Sequence, residues 1–300
     1  MCDGFPLPDF GFEDVPLMAL EKPTNFATPE FATTEFEDIC RNLGMSIDPF
    51  SPIRSTGNSS VYKATSITTS EEWALKVSKH KSRIVEEFQK RNYLENSKYL
   101  VKSYEIYDKP NFAMLKMELC NNGDIAAMQL EEPYLWLLIH DIGNALNIVH
   151  KSGWMHLDVS PSNILVEGNL FKLADFGTLI RIGEYESGKE GAGPYCSPET
   201  MEFNGTDGIT VEPPTDIFSF GVVLLEASTG YQAPRGGDDR YGQLRNGQIL
   251  LGGDLYSCDC SQELIDLVNS MISRDPADRP TAADLANHPR AIQADNERNN

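Results

Sequence analysis

A chain of 300 residues, 40% of them hydrophobic and 23% charged, can bury one large core or two modest lobes and lacks the compositional marks of a disordered or fibrous protein. Its 45 acidic residues against 25 basic ones give a net charge of −20, which disfavours non-specific binding to nucleic acid or to an anionic membrane. No stretch approaches the ~18 uninterrupted apolar residues of a membrane span, since the longest candidate, 217–227, is broken by Ser219, Gly221 and Glu226.

The opening Met1-Cys2-Asp3-Gly4-Phe5 lacks the basic-then-apolar order of a secretory signal. Of six scattered cysteines only Cys258 and Cys260 are close, so reduced thiols are expected rather than a metal or disulfide framework. Residues 1–34 carry Pro6, Pro8, Pro16, Pro23 and Pro29 among acidic residues without any period, and read as a flexible acidic tail. Thr28-Pro29 and Ser51-Pro52 are minimal proline-directed phosphorylation dipeptides. Glu35 to Leu43 can form a short acidic helix.

From Pro49 the pattern turns to short strands. Ser60 to Ala64 and Trp73 to Val77 have the β-branched and aromatic content of strands, with Thr65 to Glu72 as the turn between them. Ile84 to Phe88, with Leu94 further on, fits a helix. Val101 to Tyr107 and Phe112 to Met117 read as two more strands, and Asn121-Asn122-Gly123 breaks the pattern at a lobe boundary. Helices dominate beyond it. Leu135, Leu138, Ile139, Ile142, Leu146 and Val149 recur on one face, with Gly153 as the stop. Residues 217–227 are apolar nearly all round, as a helix buried through a lobe centre would be. Leu264, Val268 and Ile272 mark a further amphipathic helix, and 294–300 reads as a frayed polar end.

Chemistry concentrates in 156–177. His156-Leu157-Asp158-Val159-Ser160-Pro161-Ser162-Asn163, followed by Asp175-Phe176-Gly177, is the skeleton of a phosphoryl-transfer site. One carboxylate orients a hydroxyl, while an Asn and a second Asp offer magnesium hard oxygen donors. The flanking apolar strands Ile164-Leu165-Val166 and Phe171 to Ala174 argue against simple turn residues.

With these motifs in order, residues 50 to 290 resemble the eukaryotic protein kinases. The chain is most similar to the Wee/Myt kinases, which phosphorylate and inhibit cyclin-dependent kinases. The closer features are Glu118-Leu119-Cys120, His156 to Val159, Leu179 after Asp175-Phe176-Gly177, Ala233-Pro234-Arg235-Gly236-Gly237 and Leu244-Arg245-Asn246-Gly247. The membrane-associated branch is the nearer match. The resemblance implies an α+β, two-lobed protein kinase fold over 47–290. A strand-rich N-lobe would occupy 47–119 and a helical C-lobe 122–290, with a polar tail at 291–300.

ATP and magnesium are the implied cofactors. Lys76, in Ala74-Leu75-Lys76, would neutralise the α- and β-phosphates, steadied by a carboxylate. Counting back from Leu100-Val101-Lys102 makes Glu87 the first choice and Glu86 the next. The nucleotide would lie against Ile53, Gly57, Val61, Ala74, Lys76, Glu118, Cys120 and Leu165. Asp158 would accept the acceptor hydroxyl's hydrogen bond, and Asn163 and Asp175 would hold magnesium. Ile53 to Val61 keeps a single glycine, Gly57, where the family has a glycine-rich loop, so weaker ATP binding is expected.

Ser160 replaces the Lys that the family places beside the transferring phosphate, and such a donor is worth ~3 kcal/mol in the transition state. Leu157 replaces an Arg that ordinarily pairs with an activation-loop phosphate, so the segment from Thr178 to Glu199 is expected not to be switched that way. His156 is expected to brace the loop near Phe176, Asp216 to anchor its backbone, and Glu199 to pair with Arg279.

The expected function is phosphate transfer from ATP to Thr or Tyr of a cyclin-dependent kinase bound to its cyclin. The rival reading is a pseudokinase that docks a kinase without turnover. A monomer, with no nucleic-acid or membrane partner, is expected in the cytoplasm or nucleus, because the polar residues after Arg290 carry no apolar anchor.

Overall fold

The computed structural model describes residues 34–186 and 193–299. The acidic tail expected over 1–34, with Cys2 and Thr28-Pro29, lies outside the described residues except for Thr34, the first residue of a helix. The described chain divides into two compact units. One comprises 34–88 and 102–122; the other comprises 89–101 and 123–299.

The first unit is built on an antiparallel sheet. Its elements are α1 (Thr34–Asn42), β1 (Met45–Ile47), β2 (Arg54–Ser55), β3 (Ser60–Ser66), β4 (Glu72–Ser78), α2 (Lys81–Arg91), β5 (Ser103–Asp108) and β6 (Ala113–Met117). The strands run in the order β1-β3-β4-β6-β5, with β2 also paired to β3. Period-two alternation gives each strand two apolar faces to cover. On one face Phe36 and Cys40 of α1 pack with Met45, Tyr62, Leu75, Val77 and Met114. On the other, Ile84 of α2 packs with Ala113 and Leu115, with Phe88 and Met117 against them.

Three boundaries differ from the sequence reading. The sheet begins at Met45, ahead of Pro49 and of the domain start at 47, because three residues are too few to show a period. Their partners, Ser66, Thr65 and Ala64, supply the order. The turn after β3 is shorter than 65–72, since both strands extend into that stretch. Gln89 to Val101 groups with the second unit rather than with an N-lobe of 47–119: α2 ends at Arg91, short of Leu94, and Val101 donates to the Leu173 carbonyl at 2.9 Å.

The second unit is mainly helical: α3 (Glu132–Lys151), β7 (Trp154–Met155), β8 (Ile164–Glu167), β9 (Leu170–Leu173), β10 (Ile180–Arg181), α4 (Pro198–Glu202), α5 (Pro214–Thr229), α6 (Asp239–Arg245), α7 (Gln262–Met271), α8 (Ala282–Ala286) and α9 (Pro289–Arg298). Its start fits the break expected at Asn121-Asn122-Gly123. Helix α3 stops where Gly153 takes a left-handed φ of 82°. Helix α5 is buried on nearly every side, and Gly221 explains how closely it packs. A Cβ there would lie 2.7 Å from Ile272 Cγ2 and 2.9 Å from Met271 Cβ.

The chain end corrects another expectation. The sequence reads as a polar tail over 291–300, frayed from 294, yet α9 runs through Arg298 and buries Ala291. Its anchor is electrostatic rather than apolar, which is why hydropathy does not reveal it. Arg298 donates to both oxygens of Asp141, at 2.6 and 2.8 Å, and to the Asn169 carbonyl at 3.0 Å.

Candidate active site

In the first unit, Lys76 Nζ lies 2.8 Å from Glu87 Oε2, with both side chains buried. Strand β4 presents Lys76 on the face opposite Leu75 and Val77, and α2 delivers Glu87 one turn after Ile84. Glu86 is exposed, so burial separates the two candidates that spacing left adjacent. Ala74 is on the Lys76 face of β4, and Val61 pairs directly with Lys76 across β3–β4. Ile53 is exposed and joins the edge of β3 by donating to the Val61 carbonyl at 2.8 Å. Cys120 is buried, and the Glu118 carboxylate accepts the Lys102 amide at 3.1 Å.

The turn that carries Gly57 is closed by hydroxyls. Thr56 Oγ1 accepts the amides of Asn58 and Ser59 at 3.4 and 3.2 Å and donates to the Ser59 carbonyl at 3.2 Å. A glycine-rich loop aims bare amides at phosphate; here those two amides meet a side chain of their own turn. Gly57 has open space where a Cβ would sit, so its place does not depend on being glycine.

In the second unit, Asn163 donates through Nδ2 to the Asp158 carboxylate at 2.7 Å and to its carbonyl at 2.9 Å. With Nδ2 so used, Oδ1 is the atom Asn163 offers a cation. The Asn163 carbonyl accepts the amide of Ala174 at 2.8 Å, which ties the start of Asp175-Phe176-Gly177 to the same loop. Asp175 itself has a φ of 60° and Leu157 a φ of 62°. Non-glycine residues in this region are strained and persist where their surroundings hold them. A carboxylate and an amide oxygen are hard donors of the kind magnesium takes, so this set fits the implied ion. Leu165 is half-buried on β8, next to these residues in chain order.

The support beneath the loop is Asp216, the first acidic residue of α5. It accepts the amides of His156 and Leu157, both at 2.8 Å, and the His150 Nε2 proton at 2.8 Å. Burial raises the Asp216 carboxyl, but the His150 bond and charge, together with the His156 ring and amide, outweigh it and hold it below the usual carboxylate range. His156 is a strut: Nε2 donates to the Ala174 carbonyl at 3.1 Å and Nδ1 accepts the Asp158 amide at 3.3 Å. Its ring meets Phe176 edge-on at 5.8 Å. Sequence alone indicated Asp216 and His156 but not His150. It also missed Thr178, whose hydroxyl donates to the His156 carbonyl at 2.8 Å, and Lys90, which donates to the Gly177 carbonyl at 2.8 Å.

Leu157 is buried with Met155, Tyr185 and Val211, and Ile180, Ile182 and Phe203 pack against them. The segment after Asp175-Phe176-Gly177 is therefore held to the loop by apolar contact where an Arg would need an anion. Ser160 is buried beside Asp158 in sequence. Further along, Glu199 pairs with Arg279 through two bonds of 2.6 and 2.9 Å. Burial raises the Glu199 carboxyl, and the Arg279 contacts override that and lower it. Among the described residues, His140, Asp141 and Asp295 also lie close enough to share a metal ion. Arg298 bonds to both carboxylates, so this cluster already has its cation.

Residues 54–290 match the family model of the protein kinase domain. The chain is 29% identical over 291 residues to the membrane-associated tyrosine- and threonine-specific cdc2-inhibitory kinase wee-1.3 of Caenorhabditis elegans, covering 92% of this chain and 41% of that one. It is 27% identical over 291 residues to the mitosis inhibitor protein kinase mik1 of Schizosaccharomyces pombe, covering 86% and 49%. A probable protein kinase of Dictyostelium discoideum is 30% identical over 246 residues, covering 75% and 67%. The chain thus spans under half the length of the two inhibitory kinases. Among the described residues, no helix is long and apolar enough to cross a membrane. The chain belongs to the protein kinase family and, within it, resembles the Wee/Myt inhibitory kinases.

Proposed function

We propose that this chain transfers phosphate from ATP to a Thr or Tyr of a cyclin-dependent kinase bound to its cyclin, and so restrains the cell cycle. The observation that carries the reading is Asp158 held by Asn163 at 2.7 Å on a loop whose backbone Asp216 anchors. A carboxylate fixed in this way can accept the acceptor hydroxyl's hydrogen bond and orient its oxygen for in-line attack. Magnesium, when bound, supplies charge neutralisation on the phosphate oxygens. Asn163 Oδ1 and the Asp175 carboxylate would hold it. In the first unit, Lys76 would meet the α- and β-phosphates, and Glu87 keeps its ammonium from folding away. The substrate class rests on the relatives, one named a cdc2-inhibitory kinase and one a mitosis inhibitor.

The binding-module reading draws on Ser160 and on the self-closed turn at Thr56 to Ser59. Against it stand the buried Lys76–Glu87 pair and the Asp158–Asn163 pair. A chain without turnover has no evident use for either, and burying charged groups is expensive.

The test is to incubate the purified chain with magnesium, ATP and a cyclin-dependent kinase–cyclin complex and to map the modified residue by mass spectrometry. Phosphate on a Thr or Tyr of the kinase subunit is expected. Transfer to the cyclin alone, or none above a chain-free control, contradicts the reading.

A further inference from the structure

Thr56 directs its side chain into the turn that it opens. Its Oγ1 accepts the amides of Asn58 and Ser59, at 3.4 and 3.2 Å, and donates to the Ser59 carbonyl at 3.2 Å. The shape of the turn does not need these bonds. The backbone is already closed by the Thr56 amide, which donates to the Ser59 carbonyl at 2.9 Å. Next to it Ser55 pairs with Ser60 across β2–β3, and their hydroxyls share a bond of 3.0 Å. The buried hydroxyl of Ser78, the last residue of β4, donates to the Asn58 carbonyl. That bond ties the tip of the turn to the strand that carries Lys76.

What the Thr56 hydroxyl adds is occupancy of two amides. Thr56, Gly57 and Asn58 are exposed and Ser59 is half-buried, so water could serve those amides at little cost. Their contacts with Oγ1 lie beyond the usual 2.9–3.0 Å of an amide hydrogen bond, which makes them weak. A phosphate oxygen is the better acceptor, because charge-assisted bonds are shorter and about twice as strong. The turn is also placed for a phosphate. It feeds directly into β3, where Ser60 stands opposite Val77 and Val61 opposite Lys76. Successive amides in a turn are the donors that phosphates take. Thr56 Oγ1 thus occupies them as a neutral stand-in for a phosphate oxygen, and a rotation about its own χ1 would release both.

We propose that the Thr56 hydroxyl is an internal competitor for the nucleotide phosphates: it holds the amides of Asn58 and Ser59 until a phosphate displaces it, and so sets the affinity for ATP below what the same backbone could reach. This deepens the kinase reading and rests on ATP as the ligand. Kinase membership assigns phosphate binding to this turn; it assigns no side chain that opposes it.

The experiment measures dissociation constants of the full chain for ATP and ADP, with magnesium, and for adenosine, by titration calorimetry. It compares Thr56→Val, Thr56→Gly and Thr56→Ser with the parent. Thr56→Val keeps the shape of the side chain and removes the acceptor. It should bind ATP and ADP about fivefold more tightly, since two amides no longer have to exchange one acceptor for another. Adenosine, which has no phosphate, should stay within about twofold, and so should every nucleotide with Thr56→Ser, which keeps the hydroxyl. An ATP constant of Thr56→Val within about twofold of the parent, or a weaker one, overturns the proposal. An equal tightening for adenosine also overturns it, as does Thr56→Ser tightening as much as Thr56→Val. Should Thr56→Val fail to fold, Thr56→Gly decides by the same outcomes. If the parent binds ATP too weakly to measure, measurable binding by Thr56→Val supports the proposal and none by either overturns it. Phosphate transfer is not the readout, so a chain that shows these ratios but modifies no protein fails the kinase reading and not this one.

Discussion

Asp216 holds two loop amides and one imidazole proton from a fully buried position, so its removal leaves three donors without an acceptor. Asp216→Ala should destabilise the chain by about 3 kcal/mol or more, read as a lower urea midpoint. Its pH dependence follows from the depressed carboxyl. A folded-state pKa below the unfolded value gives stability that is fully present above the unfolded carboxylate pKa of about 4 and is lost as pH falls through the folded value. Urea midpoints of the parent should therefore drop through that acid window, and Asp216→Asn should drop less. At Ser160 the missing cation gives a kinetic expectation. Ser160→Lys should raise kcat more than it lowers the KM for ATP, because a charge beside the transferring phosphate acts mainly in the transition state. A mutant no faster than the parent would mean that another group already meets that charge. Much of this scale was legible, since Lys76, Asp158, Asn163 and Asp175 sit in spaced motifs. Choosing Glu87 over Glu86 needed burial, and His150 gave no signal because its partner lies 66 residues away.

At the scale of elements, sequence patterns found those held by apolar faces and missed those held by charge or pairing. Helices α3 and α7 announce themselves by period, α5 by a run that is apolar nearly all round, and strands β3 and β4 by β-branched and aromatic content. Strand β1 is too short to show one. Helix α9 has a polar sequence and is fastened by Arg298, whose side chain is buried against Asp141. Arg298→Met should thus destabilise by about 3 kcal/mol, because it strands a buried carboxylate. At this chain length that lowers Tm by roughly 5 °C, measurable by calorimetry. The Asp141→Asn/Arg298→Met double variant should lose less than the sum of the two single variants. The apolar dock around Leu157 makes a parallel case. Leu157→Arg places a cation among Met155, Tyr185 and Val211, and should reduce turnover through loss of the segment's packing, without any gain on phosphorylation. An Arg variant with activity that rises after phosphorylation would show that the segment can be latched in the other way.

For the whole molecule, the order of its motifs was the strongest signal in the sequence, and the match over residues 54–290 agrees with it. The division into two units after Asn122 was legible from Asn121-Asn122-Gly123, whereas the allocation of Gln89 to Val101 depended on contacts that no local pattern encodes. The central claim is that a strand-built unit bearing Lys76 and a helical unit bearing Asp158 make one phosphoryl-transfer enzyme, despite Ser160 and the closed turn at Thr56 to Ser59. Its most direct measurement is the initial rate of labelled phosphate transfer from ATP to a cyclin-dependent kinase–cyclin complex by the parent chain and by Asp158→Asn. The account predicts transfer by the parent and a loss of about a hundredfold or more in the variant, with nucleotide binding retained. Equal rates, or no transfer by a parent chain that binds both ATP and the protein, would contradict it.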